Sequence, residues 1–194
     1  MGDVLEVIKK AQQTVNIMID ICAYGHYSYP EMFFNYRLAL EELAHRGVKV
    51  RMIVYDHARA AQDQEDVFYS VPGFFEREVN SKRFEHFFLS NRGLKRATTQ
   101  DELKKVLFSE QAKYEAWLSD RGVEIRTVCE TMLLFTWMAD REDAVFSFRS
   151  EKGEREISFR TRDGNLLSTI GEDVFEQIWR QAAPINKAAT TASA

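Results

Sequence analysis

Residues 131–140 read TMLLFTWMAD. Nearly every position is apolar or β-prone and an aspartate closes the run, the pattern of a strand buried on both faces. The segment just before it, 122–130, starts on Gly122 and alternates as a strand. Just after it come two more β-prone segments, 143–150 (DAVFSFRS) and 155–163 (REISFRTRD), joined by the turn EKGE at 151–154. Links this short imply antiparallel pairing. The chain then enters a helix over 165–182, with Leu166, Leu167, Ile170, Val174, Phe175, Ile178 and Trp179 on one stripe.

The N-terminal half has a different grammar. A helix over 3–13, with Asp3 as its candidate cap, leads into the apolar run VNIMIDICA at 15–23, which suits the centre of a parallel sheet. A loop at 24–30 (YGHYSYP) follows. Pro30 then opens a helix over 31–46, Gly47 stops it, and a strand runs over 48–55. Strand, helix and glycine-started strand make a βαβ unit with a right-handed crossover. The same device returns later: HRGVKVRMIV and DRGVEIRTVC each close a helix on Arg-Gly and start a strand at once.

Between these halves, 57–121 reads as a helical insertion, with helices over 58–68, 74–89 and 100–119. Its middle is aromatic: Phe68, Tyr69, Phe74, Phe75, Phe84, Phe87 and Phe88. These rings either pack on the sheet or line a ligand pocket or dimer surface. Beside them lie Arg77, Lys82, Arg83, Arg92, Lys95 and Arg96, read as a solvated face or as a site for an anion.

Composition bounds the function. At 194 residues, 45% hydrophobic and 29% charged, the chain suits an α/β domain over 1–184, with a small polar tail at 185–194 expected to be disordered. A net charge of -4 gives no global push towards nucleic acid or anionic membrane, so direct nucleic-acid binding is not expected, with a local basic patch left open. No apolar run approaches the roughly 18 residues of a membrane span, and the N-terminus lacks signal-peptide order. Cys22 and Cys129 fall in predicted strands and read as the buried reduced thiols of a cytoplasmic protein, with a disulfide between them as the alternative. No Cys/His spacing suggests a metal, and no glycine-rich loop suggests a phosphate cofactor. Ligand sites in open α/β sheets lie at the carboxyl ends of parallel strands. That points to Tyr24, His26, Asp56 and His57, together with Asp20, and to Arg83 from the basic stretch.

The order of these parts resembles a phospholipase D-like domain. The resemblance rests on VLEVIKKAQQTVNIMIDI, on LALEELAHRGVKVRMIVYD, and on the C-terminal succession from GVEIR through AVFSFRS and REISFRT to VFEQIWRQA. It implies a mixed sheet flanked by helices, with 57–121 inserted. The family's signature is His-x-Lys followed by Asp. If Asp140 is that aspartate, Leu133 stands where the histidine belongs and Phe135 where the lysine belongs. Neither can attack phosphorus or protonate a leaving group. The resemblance therefore implies a pseudoenzyme: a non-catalytic sensor or interaction domain similar to TrmB-type regulators. Such a domain binds a small effector, an anion among the candidates, or a protein partner, and pairs as a homodimer. Two rivals remain: a phosphodiesterase-type hydrolase using residues outside the motif, and a structural dimerisation domain.

Overall fold

The computed structural model of the chain describes residues 1–149 and 156–185. The expected turn at 151–154 and all of the tail except Ile185 lie outside the described residues. One seven-stranded mixed sheet organises the molecule, flanked by helices. The elements run α1 (Gly2–Lys10), β1 (Thr14–Met18), α2 (Pro30–His45), β2 (Lys49–Tyr55), α3 (His57–Gln64), α4 (Phe74–Glu78), α5 (Lys82–Ser90), α6 (Gln100–Asp120), β3 (Glu124–Val128), β4 (Leu134–Ala139), β5 (Asp143–Arg149), β6 (Glu156–Thr161), α7 (Gly164–Ser168), α8 (Glu176–Gln181) and β7 (Ala183–Pro184). π-helical turns follow α3 (Glu65–Tyr69) and join α7 to α8 (Thr169–Phe175).

The strand order is β6-β5-β4-β1-β2-β3-β7. β1, β2 and β3 are parallel, while β4, β5 and β6 form the antiparallel meander that the short links imply. β4 joins the halves by pairing antiparallel with β1, Ile17 opposite Trp137. The two Arg-Gly stops form as the sequence predicts. Gly47 (φ +75°) and Gly122 (φ +83°) take the left-handed conformation. The amides after them donate back into the last helical turn, Val48 N to Leu43 O and Val123 N to Leu118 O.

Helices cover both faces. α1 packs on α2, β4 and β5, and its Val7 and Ile8 are fully buried. On the other face the π turn crosses at Gly171, where a Cβ would meet Met138 Sδ at 3.3 Å. Next to it Arg51 extends from β2, bonds Asn16 Oδ1 (3.0 Å) and Glu176 Oε1 (2.5 Å), and lies over the rings of Phe175 and Trp179. No helix among the described residues is long and apolar enough to cross a membrane.

Several boundaries differ from expectation. The opening strand stops at Met18, and Ile19, Cys22 and Ala23 are buried in the irregular segment that follows. The strand in 131–140 starts only at Leu134. Before it, Tyr55 Oη accepts from Met132 N (2.9 Å) and donates to Met132 O (3.2 Å), holding the segment off the ladder. Neither cysteine lies in a strand: Cys22 is buried in a turn and Cys129 is exposed just past β3, both as free thiols. The helix read over 74–89 is two helices. Ser81 caps the second by accepting from Phe84 N.

Candidate ligand-binding pocket

β1 ends short, so the chain from Asp20 to Tyr29 turns over the carboxyl end of the parallel strands. Facing it are the helices between β2 and β3. Between the two lies a cavity of about 390 Å³. Its wall carries the rings of Tyr24, Tyr27, Tyr29, Tyr69, Phe74 and Phe135, with Asp20, Gln64, Arg83, His26 and Gln111 among them. Tyr24 sits against Phe135 and Trp137, at 6.5 and 5.0 Å between ring centroids, so β4 and the turn after β1 build this side together.

The opposite side is a core of its own. Phe84, Ala97 and Leu103 are buried there against Tyr27, Phe74, Phe75, Val79, Phe88 and Leu107. The aromatic helices thus pack largely on one another instead of on the sheet, and Tyr69 and Phe74 reach the cavity.

The polar groups around the cavity are bound in pairs. Glu78 is 4% exposed; it accepts from Tyr27 Oη (2.7 Å) and Arg83 Nε (2.7 Å), and its other oxygen accepts from Arg83 Nη2. Burial opposes the Glu78 charge, yet the bonds from Arg83 and Tyr27 outweigh it and hold its carboxyl below the usual range. Burial, with the bond to Glu78, pushes the Tyr27 phenol well up. His26 stacks on Phe33 at 4.4 Å and shares a hydrogen bond with Asn91 Oδ1 (3.1 Å). Burial lowers its pKa despite that bond. Gln111 Nε2 donates to Glu115 Oε1 (3.1 Å), and Glu115 Oε2 lies 2.8 Å from His57 Nε2. That bond raises the His57 pKa against the effect of burial. Gln64 Oε1 is buried with no partner.

Three of the five proposed ligand residues, Tyr24, His26 and Arg83, meet in the wall. Asp56 and His57 do not line it. Asp56 caps α3, accepting from Arg59 N at 2.7 Å, and His57 connects to the cavity through Glu115 and Gln111. Of the motif positions, Phe135 lines the cavity and Leu133 is 60% exposed. Asp140 lies at the other end of β4, where its carboxylate accepts from Gln12, Gln13 and Thr14 N (2.7, 2.8 and 2.7 Å). Glu78, Gln111 and Glu115 escaped the sequence reading. Gln111 and Glu115 had a readable signal: two polar residues four apart on the buried stripe of α6, next to Leu118. Among the described residues no group of three His, Cys, Asp or Glu could hold a metal.

No protein-family model and no curated protein matches the sequence. Among solved structures the chain is similar to TrmBL2, an archaeal chromatin protein whose structure shows a novel mode of DNA binding. The two are 14% identical with a TM-score of 0.48, and the match covers 93% of this chain but 48% of that one. The present chain thus spans about half the length of TrmBL2. The expectation that direct nucleic-acid binding is disfavoured conflicts with this finding, since the similar structure is that of a DNA-binding chromatin protein. A charge summed over a whole chain does not set the potential of one surface. Residues 82–96 hold Lys82, Arg83, Arg92, Lys95 and Arg96 against Glu85 alone.

Proposed function

We propose that this chain is a regulatory domain of phospholipase D-like build that binds a small organic ligand in the cavity over β1. The observation that carries the reading is the cavity itself. It lies at the carboxyl end of parallel strands, has a volume within the usual range for small-molecule sites, and combines many rings with few polar groups. Arg83 is held by Glu78, so its charge is already balanced within the wall. That favours an uncharged ligand with flat or apolar surface over an anion. The buried Gln64 carbonyl beside the cavity favours a ligand that donates a hydrogen bond. The resemblance that puts Leu133 and Phe135 at the catalytic positions supports binding without turnover.

Native mass spectrometry of the freshly purified chain, set against its denatured mass, tests this directly. The expected result is a reproducible adduct that disappears in Phe135→Trp, a change that crowds the cavity. The reading fails if the wild-type chain carries no adduct and no compound of a broad metabolite panel raises its melting temperature.

One observation favours the hydrolase rival. A half-exposed imidazole held by a buried carboxylate, as in His57 and Glu115, is the arrangement of an oriented general base. That rival requires hydrolysis of a generic phosphodiester that is lost in His57→Ala.

A further inference from the structure

The sheet has an open edge. Among the described residues β6 is its outermost strand and pairs only with β5, whereas the strand at the other edge, β7, is two residues long. By register Ile157 and Phe159 of β6 share a face with Phe148 and Phe146 of β5. Leu167 and its neighbours cover Phe146. The cover stops there. Phe148 is 46% exposed, Phe159 43% and Ile157 70%, with the rings of Phe148 and Phe159 stacked at 6.0 Å. Three large apolar side chains thus stand in solvent beside a row of backbone groups with no ladder partner on that side among the described residues.

Edge strands are usually blunted by a proline, a bulge or an outward charge. β6 has no proline. Its Arg160 is turned back onto its own chain, with Nε and Nη2 on Asp143 (2.8 and 2.5 Å) and Nη1 on Glu6 (2.9 Å). The edge is left available for pairing.

We infer that β6 pairs antiparallel with β6 of a second copy, across a two-fold axis through Ser158, joining the two sheets into one. The occupant is argued from self-complementarity. An antiparallel pair of identical strands is related by a two-fold axis perpendicular to the sheet, so the axis passes through a residue or between residues that share a face. Centring it on Arg160 sets two like charges opposite each other. Centring it on Phe159 sets Ile157 against Thr161. Centring it on Ser158 sets Ile157 against Phe159 of the second copy, twice. This register alone gives both exposed apolar residues of β6 an apolar partner. No residue of β5 or β6 lines the cavity, so the inference goes beyond the ligand reading and does not depend on it.

Sedimentation velocity and light scattering on the full chain give the first test. The expected species is a dimer, and Ile157→Lys is expected to weaken it about 100-fold or more by forcing a charge into the apolar row. Ile157 is exposed in the single chain, so the variant keeps its fold, which circular dichroism checks. The second test fixes the register. In a Cys129→Ser background, mild oxidation is expected to cross-link Ser158→Cys into a disulfide dimer and to leave Thr161→Cys uncross-linked. A monomer at every concentration overturns the inference. So does a dimer indifferent to Ile157→Lys, which would point to the exposed Phe34 and Leu38 of α2. Cross-linking at residue 161 in place of 158 overturns the register.

Discussion

The two ends of β4 are built on opposite plans. At its Asp140 end everything is closed. Asp140 and Arg141 both take positive φ (+51° and +60°), and the Asp140 carboxylate gathers three backbone N–H groups from the connection between α1 and β1. One side chain ties two distant connections together there. At its Phe135 end, β1 has already stopped and the chain turns away over a cavity. There the polar groups are bound to one another, Arg83 to Glu78 and Gln111 to Glu115, and not to the sheet backbone. The resemblance joined Phe135 and Asp140 in one motif. In the folded chain they belong to different machinery: Asp140 holds the sheet shut, and Phe135 is floor to a cavity. The same strand thus secures the fold at one end and shapes a site at the other.

Trp137, midway between them and 1% exposed, should be the most costly residue to remove. Trp137→Ala is expected to lose about 4 kcal/mol of unfolding free energy in urea. A loss below about 1 kcal/mol would mean that β4 is not the common wall of both regions. Asp140 comes next. Asp140→Ala gives up three bonds to a charged acceptor and leaves a β-carbon at positive φ, for a loss of about 2–3 kcal/mol. Asp140→Gly loses the same bonds but relieves the backbone, so it should be the milder of the two. Equal losses would show that the bonds alone matter.

This contrast also separates what the sequence discloses from what it hides. Both Arg-Gly stops were legible because a helix that ends in the left-handed conformation strongly favours glycine there. The order β4-β5-β6 was legible because the links within 131–163 are too short for anything but neighbours. The end of β1 was not. Ile19, Cys22 and Ala23 continue an apolar run, but apolar character reports burial, and here it is a turn that is buried. Tyr24, His26 and Arg83, singled out in the sequence by their place after a strand or by charge, do come to line one cavity. Which charges would cancel could not be foreseen. Glu78 with Tyr27 and Glu115 with His57 are pairs more than fifty residues apart in sequence, and only the packing of the inserted helices brings them together.

The open end gives the third expectation. Glu78→Gln removes the charge that balances Arg83 and weakens its hold on Tyr27. Because Arg83 is 46% exposed and water can reach it, the cost should stay at about 1–2 kcal/mol. The functional consequence is more telling than the stability. With Arg83 unbalanced, the cavity should gain affinity for anions, read as a rise in melting temperature with added phosphate that the wild-type chain does not show. A wild-type chain already stabilised by phosphate would count against an uncharged ligand.

The smallest effect distinguishes two histidines near the same cavity. His57 has its pKa raised by Glu115, so its charged form is favoured by folding. Its contribution is complete below the unfolded histidine pKa of about 6.5 and is lost as pH rises through the higher folded value. His26 is the reverse. Its pKa is lowered by burial, so its contribution is present above about 6.5 and is lost as pH falls through the lower folded value. His57 is 49% exposed, which limits its share to less than about 1 kcal/mol. The stability difference between wild type and His57→Gln should therefore shrink from about pH 6 to pH 8, and that between wild type and His26→Gln should grow. Titration of the two imidazoles by NMR reads the same distinction without unfolding the protein: His57 should titrate above a free histidine and His26 below it. If the two titrate together, the pairing of His57 with Glu115 does not persist in solution. Gln111 would then be joined to Glu115 but not, through it, to His57.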